Sequence, residues 1–184
     1  MNKIRPTTKD AILEAAFQTF SKTPRASLGD VAKRAGVGRA TLHRHFSSRE
    51  ALMVALAHTA VAELNAAVEA ATKDAQSHTD GLRRALTAII PLAERQWFLT
   101  HEQLEHDPEI AAAYDADMKE LEAEISAAKA EGAFDPELTD RWIAITYENL
   151  IYSAWTLVRD GEATPSQAAD MAWRTLTRGC GVHK

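Results

Sequence analysis

The 184 residues contain one cysteine, Cys180. That excludes an internal disulfide and a cysteine-based zinc site, and it matches a reducing compartment. Glycine and proline are scarce, at 8 and 6, and no stretch alternates polar and apolar residues for long. With no period of two and abundant alanine, leucine and glutamate, the chain reads as all-α. No Ser/His/Asp or Cys/His arrangement and no phosphate-binding glycine loop occurs, so neither an enzyme nor a cofactor is expected. His101 and His106 flank an acidic segment, but five steps of about 100° put their imidazoles roughly 140° apart on a helix, so no shared metal is expected. The N-terminus is polar and runs into a helix without a leader-like segment, which points to the cytoplasm. The stretch Trp142–Val158, whose one charge is Glu148, also carries Asn149, Thr146, Ser153 and Thr156 and is short for a bilayer span, so no membrane is expected.

Charge of one sign is scarce at each end. The net charge is −5, which by itself argues against a polyanionic partner. Residues 1–50 nevertheless hold 10 Lys+Arg against 4 Asp+Glu, a net of +6, while residues 51–184 hold 11 against 22, a net of −11. A basic head on an acidic body attracts a polyanion at one end only.

Within the basic segment, residues 27–50 read as two short helices joined by a tight turn. Ser27 is placed to cap the first, with Asp30 three residues on. Val31, Ala32 and Ala35 give it an apolar face. Gly36 supplies the positive φ of a sharp turn, which Val37 plugs. The second helix starts at about Gly38. Leu42 and Phe46, four apart, point inward together, leaving Arg39, Ala40, His43 and Arg44 outward. A short helix with a small, basic, exposed face suits a DNA major groove. Arg39 and Arg44 are candidates for base contacts, since arginine bonds guanine O6 and N7 bidentately, and Ala40 allows close approach or contact with a thymine methyl. An upstream helix over about 8–21, capped by Thr7 or Thr8, carries Ile12, Leu13, Ala16, Phe17 and Phe20 at helical spacing and supplies the core beneath this motif. The preceding arm, Asn2–Arg5, is either a DNA-touching extension or a solvated tail.

The stretch AGVGRATLHRHFSSREAL resembles the helix-turn-helix of the TetR/AcrR family of bacterial transcriptional regulators, whose pattern runs A-G-V-S-x-G-T-L-Y-x-H-F-x-S-K-E-x-L. The resemblance covers about residues 8–56. It departs at Ala40, where glycine or proline is common, at His43, where tyrosine is usual, and at Arg49, where lysine is usual. It implies phosphate contacts from Thr41, His43, His45 and Arg49, with Arg25 as a weaker addition. It also implies a nine-helix fold with a helix-turn-helix DNA-binding domain over residues 1–47 and a helical ligand-binding and dimerisation domain over 48–184.

In that body, Ser47-x-x-Glu50 reads as a capping box opening a long helix over about 48–73. Further helices are expected at about 80–90, 91–105, 108–131, 136–160 and 165–178. The helix over 136–160 is apolar on nearly every face, which means burial on every face. One face is expected on its own core and another on a second subunit, with Ile143, Leu150, Ile151, Trp155, Val158, Met171, Ala172 and Leu176 at the interface, two helices from each chain forming a four-helix bundle. Trp97, Phe98, His101, Tyr114, Met118 and Tyr147 are candidates to line a cavity for a drug-sized effector, against ordinary core packing. The expectation is a homodimer that places two recognition helices in successive major grooves of double-stranded operator DNA, about 34–36 Å apart or somewhat more. It would be a repressor released by a small-molecule effector; the alternative is a constitutive dimeric regulator without one.

Overall fold

A computed structural model describes residues 7–92, Arg95 and residues 108–182. Among them are α1 (Thr8–Phe20), α2 (Leu28–Ala35), α3 (Arg39–His45), α4 (Arg49–Thr72), α5 (His78–Ile89), a 3₁₀ turn (Ile90–Leu92), α6 (Pro108–Ala130), α7 (Asp140–Arg159) and α8 (Pro165–Gly179), with no strand among the described residues. The all-α expectation therefore holds, with eight α-helices described where nine were expected. The ninth, over about 91–105, falls mostly outside the described residues, as do the arm Asn2–Arg5 and Trp97, Phe98, His101 and His106.

Most helix starts lie where the sequence puts a capping residue. The Thr7 hydroxyl accepts from the Asp10 N–H, and the Asp10 carboxylate accepts from the Thr7 N–H. The same reciprocal pair forms at Ser27/Asp30 and at Thr164/Gln167, satisfying amides that have no intrahelical partner. Two starts differ from expectation. Ser48, not Ser47, caps α4: its hydroxyl accepts from the Ala51 N–H at 3.1 Å. Phe46 leaves α3 in extended conformation with its side chain buried, which delays the next helical turn by one residue. α7 begins at Asp140, not at Pro136. Asp135 Oδ1 accepts from the Glu137 N–H at 2.9 Å, making a local turn that uses up the first cap, and the Thr139 hydroxyl then caps the helix through the Trp142 N–H.

Two compact units are present, dividing within α4 between Val61 and Ala62. The first holds α1, α2, α3, the start of α4 and Arg95. α1 packs on α2, and α2 on α3. Its buried residues include Ile12, Ala16, Phe17, Phe20, Val31, Leu42, Phe46, Leu52 and Leu56, each large side chain contributing about 1.5–3 kcal/mol by leaving water. α4 is long and apolar enough to cross a bilayer by length and composition. The core helices of soluble proteins pass the same test, and Leu52, Leu56, Ala57 and Ala60 are fully buried here.

In the second unit α5 packs on α6, α6 on α7, α7 on α8, and α8 back on α5. This is a closed ring of four helices within one chain. Leu86, Ile90, Ile125, Phe134, Ile143, Tyr147, Ile151 and Leu176 fill its centre. Glu131, just past α6, closes the ring at one end. It accepts from the N–H groups of His78 and Thr79 and from the Thr79 hydroxyl, so a distant carboxylate serves the free amides at the start of α5.

Candidate nucleic-acid interface

The turn between α2 and α3 is built by three backbone features. Gly36 adopts φ 69°, the left-handed conformation that costs glycine nothing. The Val37 N–H then reaches back to the Ala32 carbonyl at 3.0 Å, closing the end of α2 in the manner of a Schellman cap. Gly38 caps α3 without a side chain. From this frame Leu42 and Phe46 are buried, and Arg39, Ala40, His43, Arg44 and His45 are exposed, with Thr41 half-buried. The inward and outward sets of the helix are those its period of 3.6 predicts.

The arginines are not equivalent. Arg39, at the first position of α3, lies back against the first turn of α2, where Ser27, Leu28, Gly29, Leu42 and His43 complete a cleft of about 250 Å³. The Ser27 hydroxyl and N–H hold the Asp30 carboxyl below the usual carboxylate range, with the charges of Lys33 and Arg39 adding to the effect. Arg44 and Arg25 are exposed.

Arg49 is placed differently from the sequence expectation. Its guanidinium donates to the carbonyls of Ala26 at 2.6 Å and Pro24 at 2.8 Å, and it lies over the Phe20 ring, 4.4 Å from the centroid. Two of its N–H groups tie the α1–α2 connection to the start of α4, a structural role that the sequence expectation did not include. The sequence carried no signal for this, because the carbonyls it meets are 23 and 25 residues away.

The body residues also sort differently. Tyr147 is buried, its hydroxyl donating to the Leu82 carbonyl at 2.8 Å, and Met118 is buried beside it in the ring core. Tyr114 is 54 % exposed and donates to Glu148 Oε2 at 3.0 Å. Burial, then the Glu148 charge, pushes the Tyr114 hydroxyl up to about 12. Burial also raises the carboxyls of Glu148 and Asp117, with Tyr114 and Arg141 opposing it at Glu148. The pairing of Tyr114 with Glu148 between α6 and α7 was not read from the sequence.

Of the residues expected at a subunit interface, Ile143, Ile151, Trp155, Ala172 and Leu176 are buried within the single chain, and Leu150 and Val158 pack partly buried against the same core. Only Met171 is exposed, at 43 %. The outward apolar residues of α7 are instead Trp142, Ile145 and Tyr152. The residues expected on the outer face of this helix are mostly the ones its own core buries.

A family model described as bacterial regulatory proteins, tetR family, matches residues 12–56, the span from within α1 to the first turns of α4. Over 176 residues the chain is 32 % identical to the transcriptional repressor LfrR of Mycolicibacterium smegmatis, covering 95 % of this chain and 91 % of that protein. The crystal structure of LfrR from Mycobacterium smegmatis in complex with proflavine superposes with a TM-score of 0.77 at 30 % identity, over 96 % of this chain and 99 % of that one. The regulator KstR2 of Mycobacterium tuberculosis shares the fold alone, with a TM-score of 0.79 at 19 % identity over 98 % of each chain. A capped, glycine-turned helix pair presenting arginine and histidine, in a chain alike to LfrR along nearly its whole length, leads to one conclusion: this protein belongs to the TetR family and is a DNA-binding transcriptional regulator, not an enzyme.

Proposed function

We propose that the protein is a homodimeric, cytoplasmic repressor that binds double-stranded operator DNA through α3 and is released by a small-molecule effector. The observation that carries the DNA contact is the exposed face of α3. Arg39, Ala40, His43, Arg44 and His45 stand in solvent on a segment whose net charge is +6, in a chain that is otherwise acidic. In this reading Arg39 and Arg44 meet base edges, Ala40 lies close to the groove floor, and Thr41, His43, His45 and Arg25 meet phosphates. The second subunit covers the outer face of α7 and α8, where Trp142, Ile145, Tyr152 and Met171 are exposed. The polar residues along the α7 part of that face, Thr146, Asn149, Ser153 and Thr156, each donate to the carbonyl four residues back, so the three hydroxyls keep their partners when the face is covered.

The effector class is an aromatic cation. LfrR was crystallised with proflavine, and this chain offers the Tyr114 ring hydrogen-bonded to the half-buried carboxylate of Glu148, a combination that attracts planar positive charge. Release requires tighter effector binding to the state with lower DNA affinity. The test titrates the full-length protein into duplex DNA from the promoter region of its own gene at two salt concentrations, with and without proflavine. Binding that weakens steeply with salt and is reversed by proflavine is expected. Salt-dependent binding that proflavine leaves unchanged favours the constitutive alternative, and absence of binding overturns the DNA reading.

A further inference from the structure

Gly29 is the second residue of α2, and its backbone conformation does not require glycine. The positive-φ glycines among the described residues are Gly36, Gly132 and Gly161. Inside a helix glycine is weaker than alanine, because it gives up more conformational freedom on folding. The environment supplies a reason for it. A methyl group built on Gly29 would stand 3.0 Å from Arg39 Nη2, 3.3 Å from Arg39 Nε and 3.4 Å from Ser27 Oγ. The guanidinium of Arg39 thus occupies the space that a side chain at position 29 would fill. Ser27, Leu28, Leu42 and His43 complete that cleft, so the fork is flanked on several sides.

Arg39 is the first residue of α3, the end of a recognition helix that reaches base edges. A guanidinium reads guanine only when its planar fork meets O6 and N7 together, so the direction in which it leaves the helix decides which base pair it can read. We propose that Gly29 is a specificity-determining positioning residue: the space it leaves beside the first turn of α2 sets the direction of the Arg39 guanidinium, and with it the base pair Arg39 reads in each half-site. This rests on the DNA-binding reading given above. The three atoms nearest to a methyl at position 29 all belong to side chains, the first two to the far end of the flexible Arg39, so α2 keeps its fold while Arg39 loses its seat.

The experiment selects double-stranded DNA with a randomised core of about three helical turns, using the full-length wild type, Gly29→Ala, Arg39→Ala and the double variant, and compares the enriched sequences. The wild type is expected to enrich a two-fold symmetric site. Arg39→Ala should lose the guanine preference at one symmetric pair of positions. Gly29→Ala should lose about tenfold in preference at that same pair and nowhere else, with a melting temperature no lower than wild type. The double variant should match Arg39→Ala. An unchanged profile for Gly29→Ala beside a wild type that does enrich a site overturns the inference and leaves the DNA reading standing. So does a change confined to positions that Arg39→Ala leaves alone. A wild type that enriches nothing overturns both.

Discussion

The guanidinium of Arg49 lies 4.4 Å from the centroid of the Phe20 ring while donating to the carbonyls of Pro24 and Ala26. One side chain therefore joins the end of α1, the loop after it and the start of α4. The planar fork suits two carbonyls at once, and its flat face suits the aromatic ring.

Arg49→Ala should cost about 2 kcal/mol of stability, from a lost cation–π contact and two charge-assisted hydrogen bonds. Arg49→Lys should recover only part of it, since an ammonium cannot fork or stack. Thermal denaturation measures the loss. The salt dependence of DNA binding separates this role from phosphate contact: Arg49→Gln, which removes the charge, is expected to leave the slope unchanged, and a slope smaller by about one would restore Arg49 to the phosphate-contacting set.

Arg44→Ala should weaken binding to the selected operator by about 1–3 kcal/mol and relax preference at one base pair of each half-site. Arg25→Ala, at a position assigned to phosphate, should weaken binding to all duplexes alike. Fluorescence anisotropy with operator and scrambled duplexes tells the two patterns apart.

The Glu131 cap makes the body acid-sensitive. Hydrogen bonds from the Thr79 hydroxyl and N–H and from the His78 N–H lower the Glu131 carboxyl from 4.5 to about 2. A carboxyl lowered on folding contributes stability that is fully present above 4.5 and is lost as pH falls toward 2. Glu131→Gln should lower the melting temperature at pH 6 and have little effect at pH 2. Its neighbour His78 acts in the opposite direction. The hydrogen bond to Glu124 raises the His78 pKa above 6.5, so its contribution is present below 6.5 and is lost as pH rises through the raised value. His78→Gln should therefore cost more at pH 5 than at pH 9.

Glu148 titrates in the reverse sense to Glu131. Burial raises its carboxyl above the usual range, so the folded protein holds that proton more tightly than the unfolded chain, and stability falls as pH rises through the interval. Glu148→Gln, which can still accept from Tyr114, should raise the melting temperature at pH 7 relative to wild type. A lower melting temperature at pH 7 would show that the paired charge is worth more than its desolvation costs.

Gly181→Ala should destabilise the protein by about 1–3 kcal/mol through overpacking. A methyl there would overlap the backbone carbonyl oxygen of Thr177. Chemical denaturation with an unchanged midpoint would show that the chain end shifts freely.

The sequence by itself determined the elements that depend on neighbours along the chain. Helix periodicity put Leu42 and Phe46 inward and Arg39 and Arg44 outward. Capping chemistry placed Ser27, and Thr7 or Thr8, at helix starts, and Gly36 marked the turn. Each of these rests on contacts within about four residues, which spacing alone fixes. The family signature lies in the same local stretch. The tertiary structure decided how side chains that are locally equivalent are used. Nothing in the spacing separates Arg49 from Arg44; a ring and two carbonyls more than twenty residues away do. Ile151 and Tyr152 are adjacent and both apolar, yet the ring of α5 to α8 buries the first and leaves the second exposed. Glu131 reads as one more solvated carboxylate until the start of α5 is brought against it. Burial and partner choice at long separation follow from which helices pack together, and that information is spread over the whole chain.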